Sequence, residues 1–332
     1  MANRCTPPSS IVGLAWFDAV LANRGKQNVM DRRQFIAGSA GALFVLRMGA
    51  GFAQPPVAPS KPITLPLWPA VPPGGGGPTG DERWSASGAL SHVAHPSLAV
   101  FQPARPNGHA VLIAAGGGYK RMEMAKEAWP AAVWLMNLGY TAYVLSYRLP
   151  GEGWHDGNRV ALQDAQRALR IVRSREKHLT VLGFSAGGHL LGLAACRPDY
   201  LSYPAQDALD DTPAYADGAA LIYPIITLER PYTHSATHKL LAGPHATDAV
   251  NAQWSVQNFV TPRTPPMFLV QAEDDKVSNP ANTLIMAAAC RREHVAVALY
   301  HYATGGHGFG MGRPGTATVA WPTHYKTWLH AG

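Results

Sequence analysis

The chain has 332 residues, 47% hydrophobic and 15% charged, a composition that supports a sizeable core and excludes global disorder. The net charge of +7 is uneven: six basic and two acidic side chains place +4 in residues 1–53, which leaves +3 for the rest. With no Lys/Arg stripe in that remainder, nucleic-acid binding has little to rest on.

In chain order, the first 53 residues read as a targeting extension. Asp31-Arg32-Arg33-Gln34-Phe35-Ile36 resembles the twin-arginine export motif, an uncharged run follows from Ala37 to Leu46, and Gly51-Phe52-Ala53 suits cleavage after Ala53. An amphipathic N-terminal helix is the alternative. Met30 directly precedes the motif and is a candidate true start. The apolar run is short and glycine-rich for a membrane span, so the expectation is a periplasmic or secreted protein with no stable span after signal removal. Proline and glycine dominate from Gln54 to Gly80; this stretch is predicted to be a linker without regular structure, with a single α/β domain over 81–332.

Apolar runs and helical patterns then alternate. Strands are predicted over 110–115, 141–147, 179–182, 218–226, 267–271 and 295–302, and helices over 128–138, 160–176, 187–196, 281–292 and 319–330. In the 160–176 helix Ala161, Ala165, Ala168 and Val172 form an apolar stripe, with Gln163, Gln166, Arg167 and Arg170 away from it. Residues 227–264 lack a sustained period and are predicted to form a small cap or long loop beside the site. The alternation implies a three-layer αβα sandwich around a mostly parallel sheet. Cys196 and Cys290 read as two buried thiols rather than a disulfide.

The most informative run is Gly183-Phe184-Ser185-Ala186-Gly187, which fits a nucleophile elbow between a strand and a helix. A serine nucleophile needs a base and a group that orients the base. His307 lies among four glycines just past the last predicted strand, and the order Ser…Asp…His suits the elbow motif. The orienting acid is expected in Glu273-Asp274-Asp275, after the 267–271 strand, where either aspartate would serve; the one not used would be solvated or would cap the next helix. Gly116-Gly117-Gly118-Tyr119 follows the 110–115 strand, where backbone N–H groups can stabilise an oxyanion together with the N–H of Ala186. His189 is placed on the helix beneath the elbow. His234/His238 and His92/His95 lack a third ligand for zinc.

These parts resemble the acetyl-xylan-esterase-like branch of the α/β-hydrolases, related more distantly to hormone-sensitive-lipase-type esterases. The resemblance runs from Leu65-Pro66-Leu67-Trp68-Pro69 nearly to the C-terminus. It rests on Gly116-Gly117-Gly118-Tyr119, Ser146-Tyr147-Arg148-Leu149-Pro150, Gln163-Asp164-Ala165, the elbow, Thr264-Pro265-Pro266 and Gly305-Gly306-His307-Gly308-Phe309-Gly310. It implies Ser185, Asp275 and His307 as a catalytic triad and Gly117, Gly118 and Ala186 as oxyanion donors. It also implies no metal or organic cofactor, and an acylated oligo- or polysaccharide, or a small ester, as substrate. The chain departs from the pattern at Ala115, at Ser278-Asn279 and at Ser235-Ala236-Thr237.

The expected function is an exported serine esterase removing short acyl groups from carbohydrate, with a general carboxylesterase or a non-catalytic carbohydrate-binding homologue as alternatives. Trp154 and Trp254 could stack on sugar rings, although a tryptophan in a loop is at least as often simple packing. A glycosidase would need two carboxylates flanking the bond, which the adjacent Asp274 and Asp275 cannot provide. Oligomeric state is left open.

Overall fold

A computed structural model of the chain describes residues 62–331, which fall within one compact unit beginning at Ser60. The expected export signal and start codon lie outside the described residues.

Strands β1 (Ile63–Pro66), β2 (Arg83–Trp84), β3 (Leu90–Ser91), β4 (Ser97–Phe101) and β5 (His109–Ala114) precede helix α1 (Trp129–Asn137). There follow β6 (Thr141–Ser146), α2 (Val160–Arg173), β7 (His178–Phe184), α3 (Ala186–Cys196) and β8 (Gly218–Ile222). The chain continues through α4 (Ala236–Leu241), α5 (Asp248–Gln253), β9 (Met267–Ala272), α6 (Ala281–Arg292), β10 (Val297–Tyr302) and α7 (Trp321–Ala331). Among the described residues the main sheet has eight strands in the order β1-β4-β6-β5-β7-β8-β9-β10. The β1–β4 and β4–β6 pairs are antiparallel, and every pair from β6 to β10 is parallel. Strands β5, β7, β8 and β9 are almost wholly buried, as expected where helices cover both faces of a sheet. This is the predicted three-layer sandwich.

Register decides where the site forms. Ala114 pairs with Gly183, Phe184 with Ile222, and Ile222 with Val270, so β5, β7, β8 and β9 end close to one level. The loops leaving their carboxyl ends therefore meet, the usual place for reactive groups in such a sheet.

Two expectations need correction, and the structure decides between the two readings of the tryptophans. The Gln54–Gly80 stretch was expected to be unstructured linker, yet Ile63–Pro66 pairs as β1 with β4, and Leu67 and Trp68 are buried. The reason lies in α2, whose polar side is also covered: Gln163, Asp164, Gln166, Arg167 and Arg170 are all buried. Trp68 Nε1 donates to Asp164 at 2.8 Å, Arg167 Nε donates to the Leu67 carbonyl at 2.9 Å, and Arg148 donates to the Pro73 carbonyl. Side chains of α2 thus pin down a segment whose own sequence has no periodicity. The strand predicted over 218–226 stops at Ile222, because Tyr223 turns with a φ of 39°. Trp154 and Trp254 are buried, packed rather than presented as sugar platforms; the Trp154 ring lies 5.0 Å from the Arg148 guanidinium.

The 227–264 segment contains the short helices α4 and α5 and a 3-10 turn over Val256–Phe259. Cys196 and Cys290 are both buried free thiols. Among the described residues no helix is long and apolar enough to cross a membrane.

Candidate active site

Ser185 occupies the turn from β7 into α3 with φ 50° and ψ −117°, a conformation costly to a residue with a side chain. The turn is held by its surroundings: Ser185 N–H donates to the Ile222 carbonyl at 2.9 Å, and Ile225 N–H donates to the Ser185 carbonyl at 3.3 Å. The flanking glycines are required by close packing. A Cβ at Gly187 would lie 2.3 Å from the Ala114 carbonyl oxygen, and one at Gly183 would lie 2.5 Å from that of Gly187. The hydroxyl is thereby aimed out of the carboxyl end of the sheet.

There it meets the histidine. His307, on the loop after β10, has Nε2 2.9 Å from Ser185 Oγ and Nδ1 2.8 Å from Asp275 Oδ2. A carboxylate only accepts, so Nδ1 carries the proton and Nε2 is free to take that of the serine. Asp275 is almost fully buried and held from several sides. Its Oδ1 accepts from the N–H groups of Val277 and Ser278 at 2.8 and 2.9 Å, and its Oδ2 accepts also from Gln271 Nε2 at 3.0 Å. The structure thus joins Ser185, His307 and Asp275 in one line of hydrogen bonds.

Asp274 is exposed, as expected of the aspartate not used, and also accepts the N–H of Gly306 at 2.6 Å. The two aspartates divide the work: Asp275 holds the histidine ring and Asp274 holds its loop.

The glycine loop after β5 lies beside the serine. Gly117 has φ 122°, and a Cβ there would lie 2.2 Å from the Arg121 carbonyl oxygen, so only glycine fits. Among the described residues the N–H groups of Gly117, Gly118 and Ala186 meet no protein acceptor, and that of Ala186 is an orphan of the first turn of α3. The cap abuts this loop, since a Cβ on Gly118 would come within 2.9 Å of the Ala236 Cβ at the start of α4.

Both ends of the glycine loop are tied to buried polar groups that sequence reasoning did not connect with it. Gly116 N–H donates to Glu127 Oε2 at 2.6 Å. At the other end the Tyr119 hydroxyl lies 2.9 Å from Nδ1 of His189, whose Nε2 lies 2.7 Å from the Trp254 carbonyl. The carbonyl fixes the His189 proton on Nε2, so the tyrosine hydroxyl donates to Nδ1. Burial pulls the His189 imidazole down to about 4, which keeps it neutral at physiological pH. His189 does lie on α3, as expected, and serves as a strut. A cavity of about 280 Å³ opens beside Asp275, lined among others by Ile225, Tyr232, His234 and Lys276.

A family model described as BD-FAE matches residues 98–289, which span β4 through most of α6. The chain belongs to the BD-FAE family. Among curated proteins it is 34% identical over 211 residues to endo-1,4-beta-xylanase B of Butyrivibrio fibrisolvens, covering 60% of this chain and 32% of that one. It is 29% identical over 234 residues to the acetylxylan esterase of Xylanibacter ruminicola, covering 67% and 45%. The chain therefore spans less than half the length of these curated relatives. The solved acetyl ester-xyloside bifunctional hydrolase from Caldicellulosiruptor lactoaceticus is 26% identical, covers 83% of this chain and 98% of its own, and superposes with a TM-score of 0.68. The carboxylesterase Cest-2923 from Lactobacillus plantarum, 23% identical with a TM-score of 0.58, covers 76% of this chain and 96% of its own and shares the fold. These relatives bear out the motif-based resemblance to acetylxylan-esterase-like α/β-hydrolases.

Proposed function

We propose that the protein is a serine esterase that removes short acyl groups, chiefly acetyl, from carbohydrate such as xylan. The observation that carries this reading is the Ser185–His307–Asp275 line lying beside a glycine loop with unpartnered N–H groups. In the first step Ser185 Oγ attacks the acyl carbonyl as His307 Nε2 takes its proton. The carbonyl oxygen becomes an oxyanion that accepts from the N–H groups of Gly117, Gly118 and Ala186. Collapse of this intermediate breaks the bond to the sugar oxygen, which leaves as the alcohol with the proton from His307. Water then attacks the acyl-serine by the same route, releasing carboxylic acid and restoring the hydroxyl. Asp275 stabilises the imidazolium formed in each half-reaction. These steps draw on side chains and backbone N–H groups alone.

The carbohydrate preference is supported by the acetylxylan esterase and acetyl ester-xyloside hydrolase relatives. Acetate release from acetylated xylo-oligosaccharides tests it, with p-nitrophenyl esters of rising chain length alongside. Wild type should release acetate, and Ser185→Ala should lose turnover by more than about 10⁴-fold with its melting temperature unchanged. Preference for long acyl chains would replace this reading with a general carboxylesterase.

Export is proposed on Arg32-Arg33, the uncharged run behind them and the small residues before Gln54. Fractionation tests it: replacing both arginines by lysine should leave the protein in the cytoplasm.

A further inference from the structure

Glu127 is a buried carboxyl that the reaction as written does not use. It sits on the π-helical turn Met124–Ala128 ahead of α1. Its Oε2 accepts from Gly116 N–H at 2.6 Å, and its Oε1 accepts from the Tyr223 hydroxyl at 3.0 Å. The Tyr223 oxygen in turn accepts from Gly310 N–H at 3.1 Å. The Tyr223 ring stands edge-on to the His307 ring, with centroids 5.0 Å apart. Every donor in this chain points towards the carboxyl: Gly310 to Tyr223, Tyr223 to Glu127, and Gly116 to Glu127. A proton on Oε2 would face the Gly116 N–H, and one on Oε1 would force the tyrosine hydroxyl to turn away. The network is therefore satisfied by the carboxylate.

We infer that Glu127 is a positioning residue for the proposed esterase reaction. It clamps the oxyanion loop at Gly116, clamps the histidine loop through Tyr223, and sets a second negative charge near His307 behind the tyrosine ring. The inference rests on the esterase reading and adds a residue to the same site. The charged and titratable groups around Glu127 are few. Glu123 caps its own turn and Lys126 lies on it, Tyr147 follows β6, Tyr223 follows β8, and His307 faces it from the histidine loop. Beyond these, Asp275 acts on Tyr223 and His307, and Arg313 donates to the His307 carbonyl.

Burial pushes the Glu127 carboxyl up to about 7, while Gly116, Tyr223 and His307 pull it the other way. A folded-state value above the ordinary carboxyl range means the fold keeps this proton to higher pH than the unfolded chain does. Stability is therefore lost as pH rises from the ordinary range to about 7, and the loss persists above it. The carboxylate holds the site together at a cost to the fold.

Glu127→Gln keeps the shape and one acceptor and removes the charge. With p-nitrophenyl acetate, kcat should fall about tenfold while KM holds, because the imidazolium formed during reaction loses a nearby negative charge. The acid limb of kcat/KM should move to lower pH and reduce to a single ionisation. Melting temperature at pH 8 should equal or exceed that of wild type, which a merely structural role does not produce. Tyr223→Phe keeps the ring and deletes the relay, and should move kcat and the acid limb in the same directions; it decides the matter if Glu127→Gln fails to fold. Titration of Ser185 with a fluorophosphonate separates the two possible failures. Full labelling with wild-type kcat and acid limb in both variants overturns the inference alone. A wild type that is neither labelled nor hydrolytic sinks the esterase reading and this inference with it.

Discussion

The Arg148–Asp164 pair and the Ser185–His307–Asp275 line are both networks of buried charge, and they differ in what they leave unsatisfied. Arg148 and Asp164 are fully buried and 2.9 Å apart. Their hydrogen-bonding capacity is taken up by Trp68 Nε1, the Arg148 N–H, Gln163 Oε1 and the Pro73 carbonyl. Trp68 and Trp154 also lie against the guanidinium, at 5.7 and 5.0 Å. Burial pushes the Asp164 carboxyl up and Arg148 pulls it back. Both charged side chains are sealed from water, and the effect of the network is to fasten β6, α2 and the stretch before β2 together. In the other network Asp275 is as well sealed, but His307 keeps 20% of its side chain exposed and three N–H groups beside Ser185 have no protein acceptor. The fold completes its clamp and leaves its reactive centre incomplete. In the proposed reaction a substrate oxygen supplies what is missing there.

Three substitutions bear on that contrast. The largest effect is expected for Asp275→Asn, which leaves the packing intact but no longer favours the proton on Nδ1. Ester turnover should fall roughly 10³–10⁴-fold, with little change in melting temperature. If stability collapsed along with rate, Asp275 would belong with the clamp. Arg148→Met should do the opposite: it strands Asp164 in the core and should destabilise the fold by about 3–5 kcal/mol in urea titration. Molecules that remain folded should keep wild-type kcat, and the double variant Arg148→Met/Asp164→Leu should recover much of the loss. Asp274→Ala is the mildest, deleting one hydrogen bond to the half-exposed histidine loop. We expect kcat reduced about three- to tenfold at unchanged KM.

The elements legible in the sequence are those whose information is local. The buried parallel strands and α6 lie within a few residues of their predicted limits, because β-branched and apolar runs mark them. Strand β1 was hidden in a proline-rich stretch; its hydrogen bonds come from β4, more than thirty residues later. The polar side of α2 lies away from its apolar stripe, and its burial depends on Leu67 and Trp68, about 100 residues upstream, and on the segment from Arg197 to Asp210 downstream. The site divides in the same way. Ser185, His307 and the aspartate pair announce themselves through flanking glycines and strand ends. Glu127 and Tyr223, 96 residues apart, carry no motif of their own, and Glu127 sits in a charged approach to a helix, beside Glu123 and Lys126, where nothing in the sequence marks it out. Asp274 was visible, but its role depended on where Gly306 came to rest.

Ser185 and His307 are separated by 122 residues, the serine coming first. During synthesis the elbow therefore emerges well before its base, and a nascent chain stopped anywhere short of β10 carries an ordinary alcohol. In the proposed reaction the base reaches the serine only once β10 has paired with β9.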